Sequence, residues 1–341
     1  MSVKRHFIYF LLVSVIVAAC NTTKKLVNSK SETHLVLVAD NSVIAHSGAW
    51  KKNNLPENSI ASLRQANNFN YSTTDEPELL FERERLAAPK NVWNLVWSDE
   101  FNYTGLPDST KWKMDIGGHG WGNNEKQFYL DNSLENSFVK DGILHLVALK
   151  KEHDKNKYTS AKATTYQKFV LQYGKVEVMA KLPRGKGTWP AIWMLPESLR
   201  KKEEKWPLCG EIDIMEHVGK DPNMVHVSLH TELYNHIKGT QITHFERQNN
   251  VFDNFHKYGI EWDKDSISFF IDDKPFYTTK KGENGRVAAN EGWPFDKPYY
   301  LILNLAIGGN WGGEIDDSIF PFEMQIDFVR IYKKSENNKA K

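Results

Sequence analysis

The chain has 341 residues, enough for one large β domain with additions or for two ordinary domains. Its 44 basic and 43 acidic residues leave a formal net charge of +1, so no global field points to nucleic acid or to an acidic surface. The 11 Trp, 13 Tyr and 18 Phe are informative only by context: rings pack cores by default, but in polar or glycine-rich settings they stack on the apolar faces of sugars.

Lys4 and Arg5 precede an apolar run over 7–19 that is too short and wrongly flanked for a mature membrane helix but suits a signal peptide. The run ends Val17-Ala18-Ala19-Cys20, which resembles the lipobox of bacterial lipoproteins. That resemblance implies removal of residues 1–19, lipidation of the Cys20 thiol and attachment to a bacterial envelope membrane, in the periplasm or at the outer-membrane surface. The alternative is an ordinary secretory signal with an incidental cysteine. The other cysteine, Cys209, then has no partner for a disulfide and reads as a small buried hydrophobe.

Residues 20–90 are polar, and the tract NTTKKLVNSKSETH (21–34) reads as a flexible tether. Within them, VIAHSGAWKKNNLPENSIASLRQA (43–66) resembles the opening of glycerophosphodiester phosphodiesterases. His46 and Glu57 stand where that family has an acid/base histidine and a metal-ligating glutamate, with Ser47 in place of its arginine. That family needs a whole α/β barrel and only one βα unit fits here, so the segment reads as an inactive fragment with a helix near 59–66.

From Asn91 onward short alternating strands recur between turn residues: 93–97, 143–149, 175–181, 191–195, 211–216, 225–230, 256–262, 266–271, 300–306 and 325–332. Many short strands and few helical stretches predict an all-β sandwich or jelly roll over 91–335, one domain with a groove on one sheet face. The loop GGHGWGNNEKQFY (117–129) is suited to a binding rim. GTWPAIWML (187–195) sets Trp189 and Trp193 about a turn expected at Pro190, one ring for the core and one for the cleft. Trp206 precedes an acidic strand, and Trp311 stands among glycines in GGNWGG (308–313). Tryptophans in such settings, converging on acids, describe a carbohydrate subsite.

The acids are those of GEIDIMEH (210–217). At period two Glu211 and Asp213 share a face and Glu216 does not; one extra residue in a β-bulge after Asp213 brings Glu216 to the same side. Three buried acids without a paired base are costly in a core, so a cleft that uses them is the better account than an exposed acidic edge strand. His226 and His230 alternate on VHVSLHT, a spacing that fits a metal; no third ligand follows, so His230 reads as a structural or substrate-bonding residue.

In order, WSDEFN (97–102), GWGNNE (120–125), GTWPAIWML, GEIDIMEHVG and LILNLAIGGNWGG (301–313) resemble glycoside hydrolase family 16, and within it the bacterial laminarinases, or endo-β-1,3-glucanases. The resemblance implies a β-jelly-roll with an open groove and retaining hydrolysis of laminarin-like β-1,3-glucan. It makes Glu211 the nucleophile, Glu216 the general acid/base and Asp213 a hydrogen-bond partner of the nucleophile. It assigns Asn123, Trp189, Trp206, His230 and Trp311 to sugar contacts. It needs no catalytic cofactor but implies a structural calcium at Glu100, Asp327 and a backbone carbonyl near Gly142. The pattern YGRxExR of many relatives is here YGKVEVM, with Lys175 and Met179 for the arginines and Glu177 kept, which bears on the expected sugar subsites. The expected partners are a β-glucan chain and a membrane reached through Cys20, with no nucleic acid and a monomeric state. Mixed-linkage glucan or a marine galactan is the alternative substrate, and a non-catalytic glucan-binding protein the alternative class; retention of both glutamates argues against the latter.

Overall fold

The computed structural model describes residues 93–335, with the backbone of four strand segments between 28 and 44. Contacts divide the chain into units 1–87 and 88–341. In the first, β1 (Asn28–Ser29) pairs with β2 (Glu32–Thr33) and β3 (Leu37–Ala39) with β4 (Ser42–Ile44), both antiparallel. The signal sequence, Cys20, His46, Glu57 and the helix expected near 59–66 lie outside the described residues.

The second unit contains, in order, β5 (Trp93–Asp99), β6 (Lys113–Met114), β7 (Gln127–Tyr129), β8 (Ser137–Lys140), β9 (Ile143–Ala148), β10 (Tyr158–Ser160) and β11 (Lys162–Thr164). Then come β12 (Gly174–Lys181), β13 (Thr188–Pro196), the one-turn helix α1 (Glu197–Arg200), β14 (Glu211–Glu216), β15 (Met224–His230) and β16 (Ile242–Arg247). The chain continues through β17 (His256–Trp262), β18 (Ser266–Ile271), β19 (Lys274–Lys280), β20 (Tyr299–Ile307), the single turn α2 (Gly309–Gly312) and β21 (Phe322–Lys334). Each of the ten strands expected from alternation is present, and the fold is the all-β sandwich.

One sheet of seven strands runs β16-β15-β14-β13-β20-β11-β6; the other, of eight, runs β19-β18-β17-β12-β21-β9-β8, with β5 added on β21. Alternation explains how they face each other. On β12, Val176, Val178 and Ala180 are fully buried in the main core, which leaves Lys175, Glu177 and Met179 on the opposite, outer side. On the facing sheet Ile212, Ile214 and Met215 of β14 enter the same core, and so do Leu301 and Leu303 of β20. β20 is buried at all nine positions because it is an inner strand with one face in the core and the other beneath side chains such as Trp193 and Arg200.

Pro190 makes no turn: β13 runs unbroken through it, Pro190 lying opposite Leu305 of β20. Its carbonyl still accepts from His217 N–H at 3.2 Å, so the missing proline N–H is tolerated in the strand interior. Trp189 and Trp193, four apart, therefore share one face, and both line the cleft rather than one entering the core. Lys175 and Met179 belong to the outer face of the eight-stranded sheet, so their departure from the arginine pattern does not shape the groove. Lys175 instead holds Glu177 at 2.7 Å.

Candidate active site

A cleft of ≈ 1010 Å³ lies on the face of the seven-stranded sheet turned away from the core. Its floor is contributed by β11, β20, β13, β14, β15 and β16, so it crosses six strands. At about 4.8 Å per strand spacing it spans roughly 24 Å.

The acidic strand has the irregularity its charges require. Asp213 pairs with Ser228 of β15, and Glu216 with His226, so β14 advances three residues while β15 advances two. On the other side Trp193 faces Asp213 while Ile192 faces Met215, which makes Ile214 the extra residue. The bulge lets Ile214 and Met215 both enter the core and returns Glu216 to the side of Glu211 and Asp213. Gly210 holds φ +84° where β14 begins, and a Cβ there would stand 2.3 Å from the Tyr299 hydroxyl, which donates to the Cys209 carbonyl at 3.0 Å. Cys209 itself is fully buried, and burial pushes its thiol up to about 12.

Each glutamate receives one indole N–H: Trp206 Nε1 donates to Glu211 Oε2 at 3.1 Å and Trp189 Nε1 to Glu216 Oε1 at 2.9 Å. His230 Nε2 lies 3.2 Å from Asp213 Oδ2 and 3.8 Å from Glu211 Oε1. The His236 backbone N–H donates to His230 Nδ1 at 3.3 Å, so a neutral ring carries its proton on Nε2, facing the acids. Asp213 Oδ2 is buried and makes no hydrogen bond of its own, the approach of His230 being off-line.

Burial dominates the electrostatics. It pushes Glu211 up to about 8, Asp213 and Glu216 adding repulsion, His230 and the Trp206 bond opposing. Burial likewise pushes Glu216 up to about 8, Asp213 and the more distant Glu125 adding to it, the Trp189 bond and His230 opposing. Asp213 is held well above the ordinary carboxylate range by burial alone. The three exchange protons as a set. A carboxyl kept protonated beside one that is ionised is the pairing that acid-assisted nucleophilic displacement needs. Glu211, Asp213 and His230 also lie close enough to share a cation, but no other described group joins them.

The five expected sugar contacts, Asn123, Trp189, Trp206, His230 and Trp311, all line the cleft. Two of them come from loops far apart in sequence that are bonded to each other. The Asn310 N–H donates to the Asn123 carbonyl at 2.8 Å, and Asn124 Nδ2 to Asn310 Oδ1 at 2.9 Å. Gly309 permits this approach: φ is +76°, and a Cβ would meet the Asn123 carbonyl oxygen at 2.8 Å. Trp311 then packs edge-on against Trp189, ring centres 5.4 Å apart.

The cleft also holds residues that the motifs did not single out. Lys162 of β11 is buried, with Nζ 4.3 Å from the Trp121 ring centre and 4.9 Å from that of Trp193; burial depresses its pKa while Asp115, Glu125 and Glu211 favour its charge. Arg200 of α1 forks onto Asp115 and bonds the Tyr300 hydroxyl at 2.9 Å. Asn304 accepts from Trp193 Nε1 at 2.6 Å and donates to the Tyr129 hydroxyl at 3.1 Å. A usable signal existed for Asn304, the one polar side chain other than tyrosine in YYLILNLAI; Lys162, amid small residues in YTSAKATT, offered little.

Asp327 belongs to the other sheet, Glu100 and Gly142 lie just outside its strands, and none of the three lines the cleft. Met179 and Ala180 of β12 face Phe328 and Ile326, which leaves Asp327 in a bulge of β21. Asp141 and Gly142, at φ +53° and +81°, form the two-residue turn of the β8–β9 hairpin, whose β9 lies beside β21. Glu100 follows Asp99, the partner of Val329, so all three positions gather beside the middle of β21, where its pairing passes from β9 to β5.

Residues 120–330 match the model described as Glycosyl hydrolases family 16. A second, described as Beta-glucan synthesis-associated protein SKN1/KRE6/Sbg1, matches 28–202 and stops short of the acidic strand. A beta-glucanase of Rhodothermus marinus is 46% identical over 247 residues, which span 71% of this chain and 85% of that protein. The X-ray structure of the laminarinase from Rhodothermus marinus superposes with a TM-score of 0.70 at 45% identity, covering 72% of this chain and 99% of that one. A non-specific endo-beta-1,3(4)-glucanase superposes with a TM-score of 0.66 at 40% identity, covering 71% and 92%. The model match takes in more than half of the chain and all three acids, and the beta-glucanase aligns along most of its own length: the chain belongs to glycosyl hydrolases family 16.

Proposed function

We propose that this protein is a retaining endo-glycosidase that hydrolyses laminarin-like β-1,3-glucan. The observation that carries the reading is the bulge at Ile214, which sets Glu211 and Glu216 on one side of one strand, each held by an indole N–H, in a cleft long enough for several sugars. Glu211 attacks the anomeric carbon while Glu216 gives its proton to the departing glycosidic oxygen. A glycosyl ester on Glu211 results. Glu216, now ionised, takes a proton from water as that water attacks the same carbon from the leaving face, and the configuration is restored. Asp213, whose carboxyl is raised by burial, stands between the two glutamates on β14, and its charge bears on that of Glu211. His230 lies beside both acids, its Nε2 3.8 Å from Glu211 and 3.2 Å from Asp213. This chemistry needs no cofactor. Proton NMR of fresh laminarin digests tests it: β-anomers appear first on this reading, and α-anomers overturn it.

The name of one structural relative, a non-specific endo-beta-1,3(4)-glucanase, supports mixed-linkage glucan as a second substrate. Parallel assays on laminarin, curdlan, lichenan and agarose separate the two readings, and preferred cleavage of agarose would contradict both.

We also propose a calcium ion held by Glu100, Asp327 and the Gly142 carbonyl. The oxygen donors suit that ion, and the carboxyl of Asp327 is raised by burial, with Glu100 adding repulsion that a cation would relieve. Arg330, which grips Glu100 at 2.9 and 2.7 Å, would share that carboxylate with the ion. Chelation is expected to lower the melting temperature more than turnover at moderate temperature, and an unchanged melting curve removes the ion. For the N-terminus we propose lipid attachment at Cys20 in a bacterial envelope, with a monomeric enzyme. Labelled palmitate should enter the wild-type chain and not Cys20→Ser; equal labelling contradicts it.

A further inference from the structure

A lone phenylalanine exposed on an edge strand calls for no explanation. Phe245 of β16 is 58% exposed, but it ends a row. Trp189, bonded to Glu216, packs edge-on against Trp311 with ring centres 5.4 Å apart; Trp311 packs edge-on against His226 at 5.0 Å; His226 meets Phe245 at 5.9 Å. All four rings line the cleft. Backbone register gives the same line: Glu216 pairs with His226 across β14 and β15, and His226 with Phe245 across β15 and β16. Phe245 thus stands two strands beyond the proton donor on the same face, about 10 Å away at the usual spacing.

The two ends of the cleft differ. On the β20 and β11 side its floor is enclosed, with Tyr129 1%, Lys162 6% and Asn304 6% exposed beneath a rim at Gly122 and Asn310. On the β16 side Thr243 is exposed and Ile237 is 73% exposed. Double displacement needs this asymmetry. The sugar esterified to the nucleophile must stay held and sheltered, while the other half must leave and water must enter in its place.

We infer that Phe245 is the outer stacking platform of the leaving-group side, binding a glucosyl unit of the departing β-1,3-glucan beyond the bond that Glu216 protonates. The inference rests on the glucanase reading. Apolar sugar faces lie on rings, and an exposed ring held at its inner edge by His226 is presented without rearrangement.

The test compares laminarin with an aryl β-laminaribioside, whose sugars all lie on the nucleophile's side and whose leaving group is not a sugar. In Phe245→Ala the ratio of kcat/KM on laminarin to that on the aryl substrate should fall about five- to tenfold, and transfer to added laminaritriose should fall against hydrolysis. Phe245→Trp should restore both. An unchanged ratio, or a greater loss on the aryl substrate, overturns the inference and leaves the glucanase reading intact. A wild-type protein inactive on laminarin overturns both. The ring's exposure makes misfolding of the variant a minor concern, and coincident melting curves check it.

Discussion

Glu177 and Glu211 sit on inner strands of the two sheets, β12 and β14, and both are largely withdrawn from water, yet their surroundings are opposite. Glu177 receives Lys175 Nζ at 2.7 Å, Lys257 Nζ at 3.5 Å and the Tyr332 hydroxyl at 3.1 Å. Glu211 receives one indole N–H, stands near one imidazole and shares its space with two more acids. A buried carboxylate surrounded by cations is part of a scaffold; one surrounded by acids keeps a proton close at hand, which is costly for folding and useful for chemistry. A further unpaired ionisable group lies next to the site but inside the core: His217 is fully buried with neither ring nitrogen bonded, and burial pushes it down to about 4.

Substitutions that remove one member of each group break the comparison at its widest point. Glu211→Gln should cost on the order of 10⁴-fold or more in kcat on laminarin with little loss of binding, measured by steady-state kinetics and glucan affinity electrophoresis. Glu216→Gln should cost about 10²- to 10⁴-fold on laminarin and much less on an aryl glycoside whose leaving group needs no proton. Similar losses on both substrates would contradict its role as the acid.

The pH behaviour sharpens the contrast between His217 and the acids. His217 is depressed from 6.5 to about 4, so the stability linked to its neutral form is full above pH 6.5 and is lost as the pH falls toward 4, by about 3 kcal/mol. Denaturant titrations of His217→Leu should show a shallower acid decline across that window. Glu216 has the opposite sign. Raised from 4.5 to about 8, it favours the folded state below 4.5 and loses that contribution as the pH rises through 8. The same ionisation removes the proton donor, so kcat/KM should fall on the alkaline side near that value.

Smaller effects follow at the partners. Glu177→Leu should leave turnover unchanged while lowering stability by about 1–3 kcal/mol through two stranded ammonium groups, read as a lower urea midpoint. Trp206→Phe removes the N–H that favours ionised Glu211 and should reduce kcat about tenfold. A stable, unimpaired Trp206→Phe enzyme would mean that the indole only fills space.

The sequence announced its strands where alternation was clean, and 211–216, 256–262 and 266–271 agree with the observed bounds to the residue. The bulge was legible because three acids in EIDIME fit one face only with an inserted residue. Strands of two or three residues, such as β6 and β11, carry too few positions for a period to be read. The reading of YGKVEVM placed a surface network in the groove, since the motif's charges carry no sign of which sheet they join. Pro190 passed for a turn although His217, just after β14, and Leu305 of β20 hold it in line. The bonding of Asn123 and Asn124 to Asn310 joins residues more than 180 positions apart, and no local pattern encodes it.

The central claim is that Glu211 forms a glycosyl ester that Glu216 then helps to hydrolyse. Trapping with a 2-deoxy-2-fluoro laminaribiosyl donor, followed by peptic digestion and mass mapping, addresses it most directly. The account predicts one glycosyl adduct, on Glu211 of the peptide containing GEIDIMEH; an adduct on Glu216, or none from an enzyme the donor inactivates, would contradict it.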